Sequence, residues 1–360
     1  MERTAAWLAL QMAGLSPAEA RALAERFGGP EHALNASQEE VREAGFPPKV
    51  VARLRNHTAL AAEEELGRAR NAGISVLAID DERYPGRLRL IPDPPVVLFI
   101  RGEILPGDDI ALAVVGTRHP TPYGLRMATK LSGELAQLGM TIVSGLARGI
   151  DAAAHRAALA AGGRTIAVLG SGLLRLYPPE HAELADRICR AGAVVSEFPL
   201  TMPPLKENFP RRNRVISGLA RGTLVVEAGT RSGALITARL ALDQNREVFA
   251  LPGQADTLTS SGTNRLIRDG ACLVETSRDI LDGLNLTLQA TAPPSASGGA
   301  PEGMSDDERT VLARLDRPRS FEELLMETSL PPAALASLLA GLEVKGAVRC
   351  LPGRWYEKLP

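Results

Sequence analysis

KENFPRRNRVISGLARGTLVVEAGTRSGALITARL, residues Lys206–Leu240, reads in succession as a basic loop, a helix, a strand, a small-residue turn and a second helix. Lys206, Arg211, Arg212 and Arg214 surround Phe209, with only Glu207 opposing them. Val215, Ile216 and Leu219 mark the first helix, Thr223–Val226 the strand, and Ala228–Gly233 the turn. Strand, Gly/Ser turn and helix make an anion-binding end, because the first helical N–H groups have no partner inside the helix. A basic loop carrying a Phe beside such an end suits a phosphate backbone with one base stacked on the ring. The same residues also fit a solvated basic loop next to an ordinary βα turn.

Working outward, strand-like runs recur at Ile74–Ile79, Pro95–Ile100, Ile110–Val115, Met140–Val143, Thr165–Leu169, Ala193–Ser196, Glu247–Ala250 and Ala271–Val274. Helical patterns such as Leu125–Leu138 and Ala152–Ala161 lie between them. Near-continuous apolar strands alternating with helices predict a mostly parallel sheet covered on both faces, an extended Rossmann-like α/β fold over residues 71–285. Ligands of such sheets sit beyond the carboxyl ends of the strands. Four Gly-bearing turns are expected on that edge: Val115–Arg118, Ser144–Asp151, Gly170–Gly172 and Glu227–Gly233.

Residues 1–70 read as short helices joined by Gly turns, a small all-α domain of sterile-alpha-motif or helix-hairpin-helix type. Residues 286–303 are rich in Pro, Ala, Ser, Gly and Thr and predict a flexible linker. Residues 304–360 give three helices and a hairpin around Pro352-Gly353, the winged-helix order. The third helix offers a single Lys and no Arg, Asn or Gln for base edges, so its groove-reading chemistry is mostly missing.

The formal net charge of −1 hides an uneven distribution. Residues 1–110 carry 13 basic and 17 acidic side chains, residues 111–285 carry 20 and 15, and residues 286–360 carry 8 and 10. A polyanion site is therefore expected in the middle. Cys189, Cys272 and Cys350 are far apart with no CxxC or Cys/His cluster, which reads as isolated thiols in a reducing cytoplasm and no metal. The apolar run Ala5–Leu15 has helical spacing at Leu8, Met12 and Leu15 and reads as a core helix; no stretch is long enough to span a membrane.

The sequence has no GxGxxG with a following ribose carboxylate, no GxxxxGK[ST], no HExxH and no GxSxG. Asp151 and His155 lie four apart on one helix face without a second carboxylate, and read as a helix-start acid and a packed histidine. No catalytic set, cofactor or metal site is expected. Arg118 follows a strand in a loop with Gly116 and Thr117, so its guanidinium projects over the binding edge, where its fork fits phosphate oxygens. A pairing of Arg118 with Asp151 or Glu197 is the structural alternative.

These residues carry a resemblance. Val114–Arg118 with Tyr123-Gly124, Ser144–Asp151 with Ala154-His155, Gly163–Gly170 with Tyr177-Pro178, and Ser196–Pro199 are similar to motifs of the DNA-processing protein A family (DprA/Smf). So are Phe209–Gly218, Val225–Gly233, Pro252-Gly253 and Ser261–Asn264, in order, across roughly residues 75–285. The flanking domains also resemble those of family members. The resemblance implies a non-enzymatic, sequence-independent single-stranded DNA binder of natural transformation and recombination. It implies protection of incoming strands, loading of RecA recombinase, displacement of single-strand-binding protein, a homodimer, and no membrane. It gives Arg118 as the main phosphate contact, with Lys206, Phe209, Asn213 and Arg214 lining the same pocket. Added to Gly116, Thr117, Ser144, Gly145, Arg211, Ser232 and Gly233 from the strand-end turns, these form the expected DNA site. Leu173-Leu174-Arg175 stands where the family usually has an acid, and His181 where it usually has Asn, which puts nucleotide contacts at that turn in question.

Two other functional classes fit parts of the sequence. Glu227–Gly233 is similar to the turn of lysine-decarboxylase-like nucleotide phosphoribohydrolases, but Thr237 and Ala238 fall where their catalytic acid would stand. A scaffold that docks RecA and touches DNA only incidentally is the other.

Overall fold

A computed structural model of the chain describes residues 2–54, 59–288, 305–315, 319–328, 330–344, 347–351 and 355–358. By their contacts, residues 1–293 and 294–360 form two compact units.

In the first unit six helices come first: α1 (Arg3–Met12), α2 (Pro17–Phe27), α3 (Pro30–Asn35), α4 (Gln38–Glu43), α5 (Pro48–Leu54) and α6 (Ala59–Asn71). Helices α2 and α4 start on capping boxes in which Ser16 pairs with Glu19 and Ser37 with Glu40. Helix α1 is buried over Ala5–Leu10, and that apolar face packs against the sheet that follows. Residues 1–70, expected as a domain of their own, thus share a hydrophobic core with the sheet.

The sheet has nine strands: β1 (Ser75–Ala78), β2 (Val97–Gly102), β3 (Ala111–Val115), β4 (Thr141–Ser144), β5 (Thr165–Val168), β6 (Ala193–Ser196), β7 (Gly222–Val225), β8 (Glu247–Ala250) and β9 (Cys272–Leu273). Their order is β1-β2-β6-β5-β4-β3-β7-β8-β9. Strands β3 to β9 are mutually parallel, and β2 runs antiparallel to both β1 and β6. The connections are α7 (Gly86–Arg89), α8 (Pro122–Gln137), α9 (Ile150–Ala160), α10 (Ala182–Ala191), α11 (Asn208–Leu219), α12 (Gly233–Asp243) and α13 (Ser261–Arg268), with α14 (Ser277–Gly283) after β9.

Strand β3 shows why the strands are apolar throughout. Ala111, Ala113 and Val115 join one buried cluster with Val215, Ala234 and Ala238, while Leu112 and Val114 join a second with Leu131, Ile142 and Ala154. Successive residues point to opposite faces, and both faces are covered by helices. From β3 the chain steps outward through β4, β5 and β6, then returns to place β7 on the other side of β3. This reversal of strand order opens a crevice at the carboxyl ends of β3 and β7, the usual ligand position of doubly wound sheets.

The second unit contains α15 (Asp306–Arg314), β10 (Arg319–Ser320), α16 (Phe321–Thr328), α17 (Pro332–Val344), β11 (Val348–Leu351) and β12 (Trp355–Lys358). Its sheet order is β10-β12-β11, a winged helix built on Val311, Phe321, Leu324, Leu335, Leu339, Leu342 and Val348. Ser320 and Glu323 cap each other at the start of α16. The Pro352-Gly353 turn and residues 289–303 of the expected linker lie outside the described residues. Among the described residues no single helix is long and apolar enough to cross a membrane.

Candidate nucleic-acid interface

The crevice between β3 and β7 holds a cavity of about 290 Å³ lined by Gly116, Arg118, Asp151, Phe209, Arg212, Asn213, Ile216, Ser232, Gly233 and Thr237 among others. That is near the small end of ligand clefts, which run from about 300 to 1,000 Å³. Four elements build it: the loop after β3, the turn into α9, the start of α11 and the start of α12.

Helix α11 begins at Asn208, several residues earlier than the apolar spacing suggested. The basic stretch is therefore mostly helix, and helical spacing sorts its side chains. Phe209, Arg212, Asn213 and Ile216, at i, i+3, i+4 and i+7, share one face and line the cavity. Arg211 and Arg214 fall on another face and meet the buried Glu197. Arg214 Nη2 donates to Glu197 Oε2 at 2.6 Å and Nε lies 3.4 Å from Asp93, with 8% of the side chain exposed. Arg211 Nη2 lies 3.2 Å from the same carboxylate, and its guanidinium sits 5.4 Å from the Phe198 ring centroid.

Arg212 is the residue that sequence reasoning passed over. It is buried, and one terminal nitrogen donates to the carbonyls of Gly145, at 2.7 Å, and Val168. Burial pulls its guanidinium down to about 10, against the stabilising field of Asp151 and reinforced by Arg118, so it remains a cation at neutral pH. Starting the helix at Asn208 would have placed it on the Phe209 face from sequence alone. Tyr177 was missed too: it packs edge-on against Phe209 with centroids 5.9 Å apart. Arg212 and Arg118 stand 6.0 and 5.5 Å from the Phe209 centroid. The ring lies so close to Gly170 that a Cβ there would overlap it.

Arg118 is exposed at the mouth of the cavity and makes no ion pair among the described residues, neither with Asp151 nor with Glu197. Its loop is pinned from behind: the Thr117 amide donates to Glu227 O at 2.7 Å, and the Ile150 amide donates to Thr117 O at 3.3 Å. Gly149 makes this possible. It has φ +78°, and a Cβ there would overlap Thr117 O and the Arg118 backbone. Thr117 Oγ1 accepts from the His119 amide.

Several expected contacts are spent internally. The buried Ser144 hydroxyl donates to Val114 O. The amides of Gly145 and Ala147 both donate to Asp151 Oδ2, at 3.1 and 3.3 Å, so these two donors are taken up within the turn. Burial pushes the Asp151 carboxyl up, opposed by Arg212 and by those amides. Arg214 and Ser144, both expected in the DNA site, are thus buried and already partnered inside the fold. Ser232 caps α12 by accepting from the Ala234 amide, and it lines the cavity with Gly233. Asn213 Nδ2 reaches Gly233 O at 3.5 Å. Lys206 sits in the turn before α11, exposed and without a partner among the described residues, outside the cavity lining.

His155 is buried, and its Nδ1 lies 2.7 Å from Thr165 Oγ1. That hydroxyl already donates to Ile142 O, so Nδ1 carries the hydrogen. His181 packs inward with Nδ1 2.9 Å from Leu146 O. No group of three or more His, Cys, Asp or Glu side chains among the described residues is placed to hold a metal ion. Thr237, buried on α12, lines the cavity where a phosphoribohydrolase would need an acid.

Residues 75–285 match the family model of DNA recombination-mediator protein A, and residues 290–354 match the DprA winged helix domain. The chain is 43% identical over 293 residues to protein Smf of Escherichia coli, covering 78% of this chain and 77% of that one. Among solved structures, DNA processing protein A of Streptococcus pneumoniae superimposes with a TM-score of 0.68 at 36% identity, covering 76% of this chain and 95% of that one. A structure of DNA processing protein A from Helicobacter pylori, concerned with its single-stranded DNA binding mode, gives 0.53 at 31% identity, covering 59% and 95%.

Proposed function

The chain belongs to the DNA recombination-mediator protein A (DprA/Smf) family, and from that premise we propose that the β3/β7 crevice is a sequence-independent single-stranded DNA site. DNA processing is the role that membership gives. One observation carries the site: a free guanidinium, Arg118, stands over an aromatic ring, Phe209, at the mouth of a cavity floored by the buried cation Arg212. Arg118 is the phosphate contact. Its fork has no competing carboxylate, and Arg212 adds a fixed positive field beneath it. The amides at the start of α12 offer further donors to phosphate oxygen. Phe209 takes a base against its face once Arg118 turns to the backbone, and Ser232 and Asn213 edge the same space. Lys206 and Arg211, exposed at the start of α11, extend the positive surface.

We read the crevice as a binding site with no reaction to perform. Its one buried acid, Asp151, is held by two amides and faces a cation, so no nucleophile–base pair is assembled there. Loading of RecA recombinase, exchange with single-strand-binding protein, a homodimer, a cytoplasmic location and use in transformation belong to the same proposal and rest on the family likeness. Separate roles for residues 1–70, 71–285 and 304–360 are likewise proposed.

The test is fluorescence anisotropy of the intact chain with labelled oligo-dT and with a duplex of equal length. Tighter binding of the single strand, with a negative dependence on salt, is expected. Equal affinity for both forms refutes the reading.

A further inference from the structure

Glu65, on α6, is a carboxylate with 1% of its surface exposed, in a helix that otherwise buries Ala62, Leu66 and Ala69. A charge that deep needs hydrogen bonds. Its Oε2 accepts from Arg68, from Nε at 2.9 Å and Nη2 at 2.6 Å. Its Oε1 accepts from the backbone amide of Leu200 at 2.6 Å, far along the chain in the segment 197–202 between β6 and α11. Building on the single-strand reading above, we propose that Glu65 is a positioning residue for the DNA site: by holding the Leu200 amide it fixes segment 197–202, and that segment sets the place of the Phe209 ring.

Two routes lead from the segment to the ring. The first runs through the turn after β5. Leu200 O accepts from the Leu174 amide and Met202 O from the Gly172 amide, both at 2.9 Å, and the Ser196 hydroxyl donates to Ser171 O at 2.7 Å. The two pieces of chain lie so close that a Cβ on Gly172 would overlap the carbonyls of Pro199 and Leu200. The same turn begins with Gly170, the glycine against which Phe209 rests. The second route runs through α11, where Glu197 of the segment holds both Arg211 and Arg214. Helix α1 grips the segment as well, since Gln11 Nε2 donates to Glu197 O at 2.8 Å. A buried amide left without an acceptor is costly, so removing the carboxylate drives the Leu200 peptide to move, and its carbonyl carries the Leu174 turn with it. The helices of residues 1–70 thus act on the crevice from behind, without touching DNA.

The experiment measures anisotropy of labelled oligo-dT with the intact chain, in a double-mutant cycle of Glu65→Leu and Phe209→Leu. Glu65→Leu keeps the bulk, removes the acceptor and leaves the half-exposed Arg68 to water. It should weaken binding roughly fivefold, the low end for one stacked base, with the salt slope unchanged because Arg118 and Lys206 still reach phosphate. In the Phe209→Leu background the same change should cost almost nothing more. Glu65→Gln retains an oxygen for the Leu200 amide and should return most of the affinity. If Glu65→Leu does not fold, Glu65→Asp, whose carboxylate stops one methylene short of Leu200, takes its place in the cycle. Equal losses in both backgrounds overturn the inference, since Glu65 would then support the fold at large and not the ring. So does parent-like binding by the folded Glu65→Leu or Glu65→Asp chain, or an altered salt slope. Parent-like binding by Phe209→Leu alone strikes at the crevice reading itself, and the inference falls with it.

Discussion

Replacing Arg118 by Ala tests the crevice most directly. Arg118 is exposed, has no ion pair among the described residues, and touches the fold through its contact with the Phe209 ring at 5.5 Å. That contact contributes about 0.5–1 kcal/mol at an exposed site, so the variant should fold with a barely altered melting temperature. Binding should suffer more. A charge-assisted hydrogen bond is worth about 1.5–3 kcal/mol, and at an open mouth the lower end applies. At about 1.4 kcal/mol per decade, a loss of about 1.5 kcal/mol is roughly tenfold in Kd. One neutralised phosphate also adds about 0.7 to the salt slope of single-strand binding, so the plot of log K against log salt should flatten by that amount. Arg118→Lys keeps the charge without the fork, and should recover the slope but only part of the affinity. The assay is anisotropy of a labelled oligo-dT across a salt series, run beside thermal unfolding. An unchanged slope in Arg118→Ala, with the fold intact, would show that this guanidinium meets no phosphate and would remove the centre of the proposed site.

Phe209→Leu should cost about 1–3 kcal/mol of binding, the worth of one stacked base, with the salt slope unaltered; an altered slope would mean that the ring acts through Arg118 rather than on a base. Gly149→Ala should both destabilise the fold and weaken binding, because a Cβ at φ +78° would overlap Thr117 O and displace the Arg118 loop. Parent-like melting and affinity in that variant would refute the pinning of this loop. His155 gives a pH signature: burial lowers it from 6.5 to about 3, so the unfolded chain takes up its proton first as pH falls. Its contribution to stability is therefore full above about pH 7 and lost progressively between about 6.5 and 3, by about 2 kcal/mol at pH 5. Chemical denaturation of the parent and His155→Gln should give curves that converge by that amount between about pH 7.5 and 5, and parallel curves would contradict it.

The amino-acid sequence alone carried the architecture of the sheet. All nine strand segments were marked by apolar runs, because a strand buried on both faces tolerates polar side chains almost nowhere. Arg118 and Phe209, which the family motifs singled out, stand side by side at the crevice. What only the tertiary structure decided was which cations face the crevice. Arg211, Arg212 and Arg214 are alike as letters, but α11 begins at Asn208 and turns each by about 100° from the last. Arg214 is thereby buried on Glu197, Arg212 is set beneath Phe209, and Arg211 is left at the rim. The packing of residues 1–70 follows the same logic. Short amphipathic helices announce that they must bury a face, but not against what; here α1 buries it against the sheet. Local spacing fixes which side chains share a face, and only the packed chain fixes what that face meets.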